Sequence, residues 1–160
     1  MNTVRAIECL LVRPGHGVAL ARFFADLAAA GDDAFFHPHA SDVATLGAIA
    51  ERPGKDLYVV FVEGDDVCAY GMLRGWNEGY AVPSIGIAVH PSARTCGLGR
   101  LMMEYLEMMA RYRGAFAVRL RVHKDNTRAI AMYERRGYVM QPEVDDARLL
   151  VGVKTLVVAT

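Results

Sequence analysis

Gly97 and Gly99 are separated by a single residue. They lie between an apolar segment and a segment whose apolar residues recur with the period of a helix. Glycines leave the first turn of a helix without side chains, so unpaired backbone N–H groups there can approach a ligand closely. Those donors and the positive end of the helix dipole together form a site for an anion. Because Arg94 and Arg100 flank the two glycines, this segment is predicted to bind a pyrophosphate.

Two other glycine motifs do not match the segment. A P-loop ends in Gly-Lys-Ser/Thr, whereas Gly99 is followed by Arg100 and Leu101. The dinucleotide-binding fingerprint has a third glycine at the position where Met102 stands. Taken in isolation, the pattern is also compatible with an ordinary helix N-terminus that contains two flexible glycines.

A second set of candidate residues lies downstream, on a helix predicted to end at Gly137. Asn126 can cap this helix, and Tyr133 follows seven residues later. Seven residues are about two helical turns, so both side chains are expected on the same side of the helix. Each residue could also have a purely structural role. Asn126 would then only cap the helix, and Tyr133 would be an ordinary half-buried helix residue.

The elements that position these residues are predicted from hydrophobic periodicity and turn residues. Strands over 57–63 and 67–73 flank the turn Gly64-Asp65-Asp66, and the whole order is β-α-α-β-β-β-α-β-α-β-β. This order predicts one α/β (α+β) domain over residues 1–160, built on a mixed sheet. The strand–helix–strand unit over 84–123 is expected to be a right-handed crossover with parallel strands. Its helix is expected to bury Leu98, Leu101, Met102, Tyr105 and Met109.

Composition and charge restrict the class of protein. The 160 residues are 53% hydrophobic and 22% charged, which suits one globular core and excludes a disordered chain. No apolar run approaches the roughly 18 residues of a membrane span, and the N-terminal residues lack a secretory pattern, so neither a membrane partner nor secretion is expected. Three cysteines without CxxC spacing favour reduced thiols, a cytoplasmic location and no zinc site.

Charge is balanced over the chain but not along it. Eighteen basic residues match eighteen acidic ones, so no nucleic acid partner is expected. Residues 94–136 nevertheless contain ten basic residues and only four acidic ones. A neutral chain with one basic stretch favours a discrete anionic ligand over a polyanion.

Together these motifs resemble the GCN5-related N-acetyltransferase (GNAT) superfamily. The resemblance rests on Val89-x-Pro91, Arg94-x-x-Gly97-x-Gly99, Asn126, Ala129, Tyr133 and Gly137-Tyr138. It is specific over residues 84–140 and only topological elsewhere, and Thr95 stands where family members often have glycine, which is expected to tighten the loop. The resemblance implies a mixed, mostly antiparallel sheet with a splayed parallel strand pair, flanked by about four helices.

The resemblance also implies an enzyme that uses acetyl-CoA and no metal. The residues expected to hold acetyl-CoA are Ile87, Ala88, Val89, Arg94, Thr95, Cys96, Gly97, Leu98, Gly99, Arg100, Asn126 and Tyr133. Tyr133 is implied to protonate the departing thiolate as general acid, and a strand N–H is implied to polarise the thioester carbonyl. The acetyl group would pass directly to an amine, without a covalent enzyme intermediate.

The amine acceptor is expected at residues 33–41 and 75–83, which lie between the first two helices and before a central strand. Candidate lining residues are Phe36, His37, His39, Trp76, Glu78 and Tyr80. An aromatic lining with few charges suits a small polar amine, such as an amino sugar or an amino-acid-like metabolite. Glu78 is the candidate catalytic base, with His37 and His39 as alternatives.

Other functions remain open at this stage. The chain could acetylate a protein N-terminus or a lysine, or it could be a CoA-binding regulatory module without turnover. The apolar segment over 149–158 could form the edge of a homodimer or close the core.

Overall fold

The computed structural model describes residues 6–32, 36, 39 and 41–157. In chain order, the elements within these residues are β1 (Glu8–Leu11), α1 (Gly17–Ala29), α2 (Val43–Glu51), β2 (Leu57–Glu63), β3 (Asp66–Arg74), β4 (Ser84–Val89), α3 (Leu98–Tyr112), β5 (Ala117–His123), α4 (Thr127–Arg135), β6 (Val139–Pro142) and β7 (Leu149–Thr155). Short 3₁₀ turns cover Pro14–His16 and Pro91–Ala93. Among the helices of this part of the chain, none has the length and apolarity needed to cross a membrane.

The described strands form one seven-stranded sheet in the order β1-β2-β3-β4-β5-β7-β6. Every neighbouring pair is antiparallel except β4 and β5, which are parallel. The predicted mixed sheet with one parallel pair is therefore confirmed. The segment expected to form a dimer edge or close the core becomes β7, which pairs with β5 on one side and β6 on the other.

Helices cover both faces of the sheet. The apolar residues of α1 and α2 pack with Tyr58, Val60, Tyr70 and Met72 on one face. Those of α3 and Tyr133 of α4 pack on the opposite face, where the alternate strand residues point. Each face therefore has its own core.

The buried face of α3 differs from the predicted one. The helix buries Met102, as expected, together with Met103, Leu106, Glu107 and Ala110. Leu101 is 49% exposed, and the other three predicted residues are only partly buried. Apolar residues surround most of this helix, so periodicity alone does not select a face. Glycine on β3 helps to select it, because a Cβ at Gly71 would overlap Met102.

Glu107 is a buried carboxylate on α3 that connects this helix to β7 and to the turn after α4. Arg136 donates to it from Nε and Nη2 at 3.1 and 2.8 Å, and Lys154 Nζ donates at 2.9 Å. The Tyr138 hydroxyl donates to Glu107 Oε1 at 3.1 Å. Burial raises the pKa of Glu107, but the bonds from Arg136 and Lys154 outweigh burial and leave the pKa below its ordinary value. This network fixes the C-terminal end of α4 against α3 and β7.

We expect Glu107→Gln to lower the free energy of unfolding by about 3 kcal/mol at pH 7, because two half-buried cations would lose their counter-ion. A carboxyl group with a depressed pKa stabilises the fold above its unfolded pKa, near 4.5 here. That contribution is lost as pH falls through the lower folded value. Urea unfolding of wild type and variant between pH 7 and pH 3 should show the difference shrinking. Glu104→Gln, an exposed change on the same helix, is the control. Equal destabilisation by Glu107→Gln at both ends of the pH range would contradict this account.

Candidate functional site

A cleft opens between the two parallel strands. Ser84 on β4 is paired with Arg119 on β5, and no further pair joins the described parts of these strands. On its other side, β4 is paired along its whole length with β3. The edge of β4 that faces β5 beyond Ser84 therefore presents backbone donors and acceptors to the cleft. Ile87, Ala88 and Val89, the strand residues predicted to bind a cofactor, line this edge.

The N-terminus of α3 lies at the end of β4, after the 3₁₀ turn. Leu101 donates the first helical backbone bond of α3, to the Gly97 carbonyl at 3.0 Å. The N–H groups of Leu98, Gly99 and Arg100 precede this bond and have no acceptor among the described residues. The first turn contains no acidic side chain. These three donors and the helix dipole fit an anion.

Gly97 and Gly99 have different roles in this turn. Gly97 caps the helix in the left-handed conformation, with φ of 84°, which disfavours any side chain. A Cβ at Gly99 would meet Val89 and Ile87 at 3.5 and 4.0 Å, which is ordinary contact. The fold itself therefore has room for a Cβ at Gly99.

Thr95 adopts the left-handed conformation as well, with φ of 66°. It is the one described residue other than glycine with a positive φ, and this conformation costs about 1–2 kcal/mol for a residue with a Cβ. Its hydroxyl donates to the Arg94 carbonyl at 2.6 Å. The departure from the family pattern thus places a strained residue in the loop, where glycine would be unstrained.

An ion pair and a hydrogen bond connect the loop to Asp32, which lies shortly after α1, and to Asp26 within α1. Arg94 Nη2 lies 2.5 Å from Asp32 Oδ2, so this guanidinium is held by a carboxylate. His90 Nδ1 accepts from the Ser92 N–H at 3.2 Å, so its proton lies on Nε2, which donates to Asp26 at 2.8 Å. Sequence reasoning missed both aspartates, since they lie more than 60 residues from their partners. No local pattern signals such pairs.

The remaining loop residues differ in exposure. Arg100 and Cys96 are exposed, whereas Leu98 packs partly against the α3 core. Arg100, in the first turn of α3, is therefore a cation whose side chain is open to solvent beside the helix N-terminus.

Tyr133 is buried on α4, with 8% of its surface exposed. Its ring lies 5.8 Å from that of Tyr138, and burial raises its pKa to about 12. None of the described residues hydrogen-bonds to its hydroxyl. It is a neutral donor at pH 7.

Asn126 caps α4, as expected from the sequence. Its Oδ1 accepts from the Ala129 N–H at 3.3 Å. This bond fixes the side chain by its oxygen and leaves the Nδ2 hydrogens directed away from the cap. The cap and the ligand-binding role predicted for Asn126 therefore use different ends of one amide.

Two predicted acceptor residues, Phe36 and His39, lie on the face of the sheet that α1 and α2 cover. Phe36 stacks on Phe24 with ring centroids 6.4 Å apart, and His39 Nε2 lies 2.8 Å from the Tyr70 hydroxyl. A Cβ at Gly86 would lie 3.3 Å from the Phe36 ring, so this ring covers the middle of β4. Tyr70 is fully buried, and burial raises its pKa. Sequence reasoning did not single out Tyr70, because it reads as a core residue.

The other acceptor candidates lie elsewhere. Trp76 packs with the α3 core, and the Arg113 guanidinium lies 5.7 Å from its ring centroid. Glu78 is exposed, and Tyr80 is 63% exposed in the same loop. His37 lies outside the described residues. Phe36 and His39 therefore share one aromatic cluster with Phe24 and Tyr70, whereas Trp76 lies in the other core. The acceptor roles of all these residues stay predictions.

Comparisons with known proteins show which family and fold this chain resembles. The model of the acetyltransferase (GNAT) family matches residues 20–138. Acetyltransferase SG1711 of Sodalis glossinidius is 31% identical over 101 residues, which cover 63% of this chain and 67% of that protein. The catalytic subunit naa20 of the N-terminal acetyltransferase B complex of Schizosaccharomyces pombe is 36% identical over 77 residues. That match covers 46% of this chain and 43% of the subunit, so the chain matches less than half of this relative.

A solved structure shares the fold. It is yncA, a putative acetyltransferase from Salmonella typhimurium with its cofactor acetyl-CoA. The TM-score is 0.74 at 18% identity, and the match covers 94% of each chain. At this identity the likeness shows the fold alone.

We expect Gly99→Asp to abolish binding of coenzyme A while leaving the unliganded fold at least as stable as wild type. A carboxylate in the first turn of a helix stabilises that helix by about 0.3–1 kcal/mol, but it would also repel a diphosphate at the same place. Calorimetric titration with coenzyme A and thermal melts without ligand separate the two effects. Gly99→Asn, which adds the same bulk without charge, is the matched control for repulsion. Binding of wild-type strength in Gly99→Asp would contradict the anion site.

Proposed function

This chain belongs to the acetyltransferase (GNAT) family, and we propose that it transfers the acetyl group of acetyl-CoA to a primary amine of a small polar metabolite. The family makes it an acetyltransferase that uses acetyl-CoA. The acceptor and the residue roles are our proposal. The main support for this proposal is the cleft between β4 and β5. The N-terminus of α3 lies on one side of the cleft, and the aromatic side chains of Phe36 and His39 lie on the other.

The described residues fit acetyl-CoA. The N–H groups of Leu98, Gly99 and Arg100 would hold the diphosphate, and the exposed Arg100 side chain would add charge. The backbone edge of β4 at residues 87–89 would pair with the pantetheine arm, and the Asn126 amide would donate to it from Nδ2. These contacts depend mostly on backbone atoms, so they tolerate variation in the side chains of the loop.

Acetyl-CoA supplies an activated acetyl group, whose carbonyl carbon forms a bond to the amine nitrogen while its bond to sulfur breaks. A β4 backbone N–H would donate to the carbonyl oxygen and stabilise the charge that develops there. Tyr133 would donate its hydroxyl hydrogen to the departing sulfur, which takes up a proton overall. The amine attacks as its neutral form.

The high pKa of Tyr133 shapes its role. A tyrosine with a pKa of about 12 holds its proton more tightly than a thiol with a pKa near 8.5. Complete transfer to the sulfur is therefore uphill by about 5 kcal/mol. Tyr133 thus acts best as a hydrogen-bond donor that is positioned before the reaction, with proton transfer completed only as negative charge develops on sulfur.

The acceptor amine must lose a proton before it attacks. Glu78 is the base that we propose, since it is exposed in the loop before β4 and can exchange protons with solvent. His39, bonded to Tyr70 on the acceptor face, is the alternative base. Comparing the pH profiles of Glu78→Gln and of His39→Gln distinguishes them, because only the variant that lacks the base loses the acidic limb of the profile.

A second acceptor class has a specific observation in its favour. The match to naa20, a catalytic subunit of an N-terminal acetyltransferase complex, supports the α-amine of a peptide as an acceptor. Release of CoA with short peptides and with small amines, measured under the same conditions, decides between the two classes.

We expect Tyr133→Phe to lower kcat by about 10²–10⁴, because the donor to the departing sulfur is lost. The affinity for coenzyme A should stay unchanged, since the ring and its packing remain. Steady-state kinetics and calorimetry measure the two quantities. Tyr112→Phe, at a position that is 83% exposed at the end of α3, is the control. A kcat within about threefold of wild type would remove Tyr133 from the mechanism.

A further inference from the structure

β5 carries two arginines, Arg119 and Arg121, on the face of the sheet where the predicted acceptor residues Phe36 and His39 lie. Val118 and Leu120 of β5 are buried in the core that α3 covers. Because strand side chains alternate, Arg119 and Arg121 point to the opposite face, which α1 and α2 share. Their side chains remain 36% and 56% exposed. Among the ten basic residues of 94–136, these two therefore lie on the face away from α3.

The register of the sheet places both arginines beside the cleft. Arg119 is the partner of Ser84 in the one bridge between β4 and β5, so it stands at the closed end of the cleft. Arg121 lies two residues further along the open part of β5. On the other wall of the cleft, Gly86 lies two residues beyond Ser84 and under the Phe36 ring. The two arginines thus face the same space as the aromatic acceptor group.

A single carboxylate serves both guanidinium groups. Glu143 Oε2 lies 2.7 Å from Arg121 Nε and 3.9 Å from Arg119 Nη2. The Glu143 side chain is only 11% exposed, and its buried Oε2 makes no hydrogen bond to the described residues, so the contact with both arginines is electrostatic. Among the described residues, the ion pairs on this wall join two cations to one anion, which leaves an excess of positive charge. A guanidinium whose Nε lies beside a carboxylate still presents its outer nitrogens to a ligand.

An anionic group on the acceptor fits this wall, whereas a simple amine does not. A protonated amine without an acidic group would be repelled by the two arginines. A carboxylate on the same molecule would pair with them, and guanidinium–carboxylate bonds are directional and strong. The same positive charge would lower the pKa of the acceptor ammonium and so favour the neutral amine that attacks.

We propose that the acceptor is an amine that carries a carboxylate, as in an amino acid, and that Arg119 and Arg121 bind this carboxylate. The inference rests on the proposed function and selects, between the amino sugar and the amino-acid-like metabolite, the second. Arg119 and Arg121 determine specificity for the acceptor, and the contacts to acetyl-CoA do not involve them.

The test uses pairs of amines that differ only in charge, with acetyl-CoA as donor. Each amino acid is compared with its own carboxamide by the rate of CoA release. In wild type, the carboxylate members of the preferred pairs should react with kcat/KM at least about tenfold above their carboxamides. Arg119→Gln and Arg121→Gln should each lower kcat/KM for the carboxylate by about 10–100-fold and for the carboxamide by less than about threefold.

Controls separate recognition from folding. The KM for acetyl-CoA should be unchanged in both variants, and Arg121→Lys, which keeps the charge, should retain part of the preference. Arg111→Gln, at an exposed position in the last turn of α3, should leave all rates unchanged. An altered KM for acetyl-CoA in the arginine variants would contradict the assignment.

The outcomes distinguish this inference from the proposed function. If carboxamides react as well as carboxylates in every pair, or if the variants slow both members equally, the inference is wrong and the acetyltransferase stands. If no amine of either kind releases CoA, the proposed small-molecule function fails and the inference fails with it.

Discussion

The parallel strands β4 and β5 share one bridge, at Ser84 and Arg119, and then separate. A sheet tolerates such a gap only if each strand is held by its other neighbour. Here β4 is paired along its length with β3, and β5 along its length with β7. Pairing with β3 therefore supports the unpaired edge of β4, and a donor held in place by the backbone is what the proposed polarisation of a thioester would need. Both proposed binding regions open from this gap.

Different contacts fix the two ends of the site. Glu107, with Arg136, Tyr138 and Lys154, fastens α4 and therefore places Tyr133. On the loop side, Asp32 and Asp26 hold Arg94 and His90, while the ligand-facing groups at the start of α3 are neutral N–H donors. Charged and polar side chains thus support the surrounding structure, and backbone dipoles are the groups that we propose bind the anion. This division explains how a strained Thr95 is retained, since its neighbours hold the loop in place.

Local features could be predicted from the sequence. The bounds of β2, the turn after it, the Asn126 cap and the parallel unit over 84–123 follow from alternation, glycine and capping residues, which act within a few positions. The order of helices and strands was also predicted correctly from these signals. The family was predicted from the motifs placed on them. These signals are strong because they depend on the conformation of neighbouring residues alone.

Features that depend on tertiary contacts could not be predicted. The buried face of α3 was wrong by about one position, because Gly71 and the Glu107 network select it from outside the helix. Burial raises the pKa of Tyr133 to about 12, and no local pattern around Tyr133 predicts how deeply the folded chain buries it. The sequence predicts both Trp76 and Phe36 as aromatic residues in loops, but the two side chains pack on opposite faces of the sheet.

Amide hydrogen exchange with and without coenzyme A tests the central claim most directly. If the diphosphate is held by backbone donors beside a separated strand pair, saturating coenzyme A should slow exchange at Leu98, Gly99 and Arg100 and along the exposed edge of β4. Protection should be strongest at the start of α3, where the three N–H groups have no acceptor in the described chain. Unchanged exchange at these amides, with coenzyme A demonstrably bound, would contradict the account.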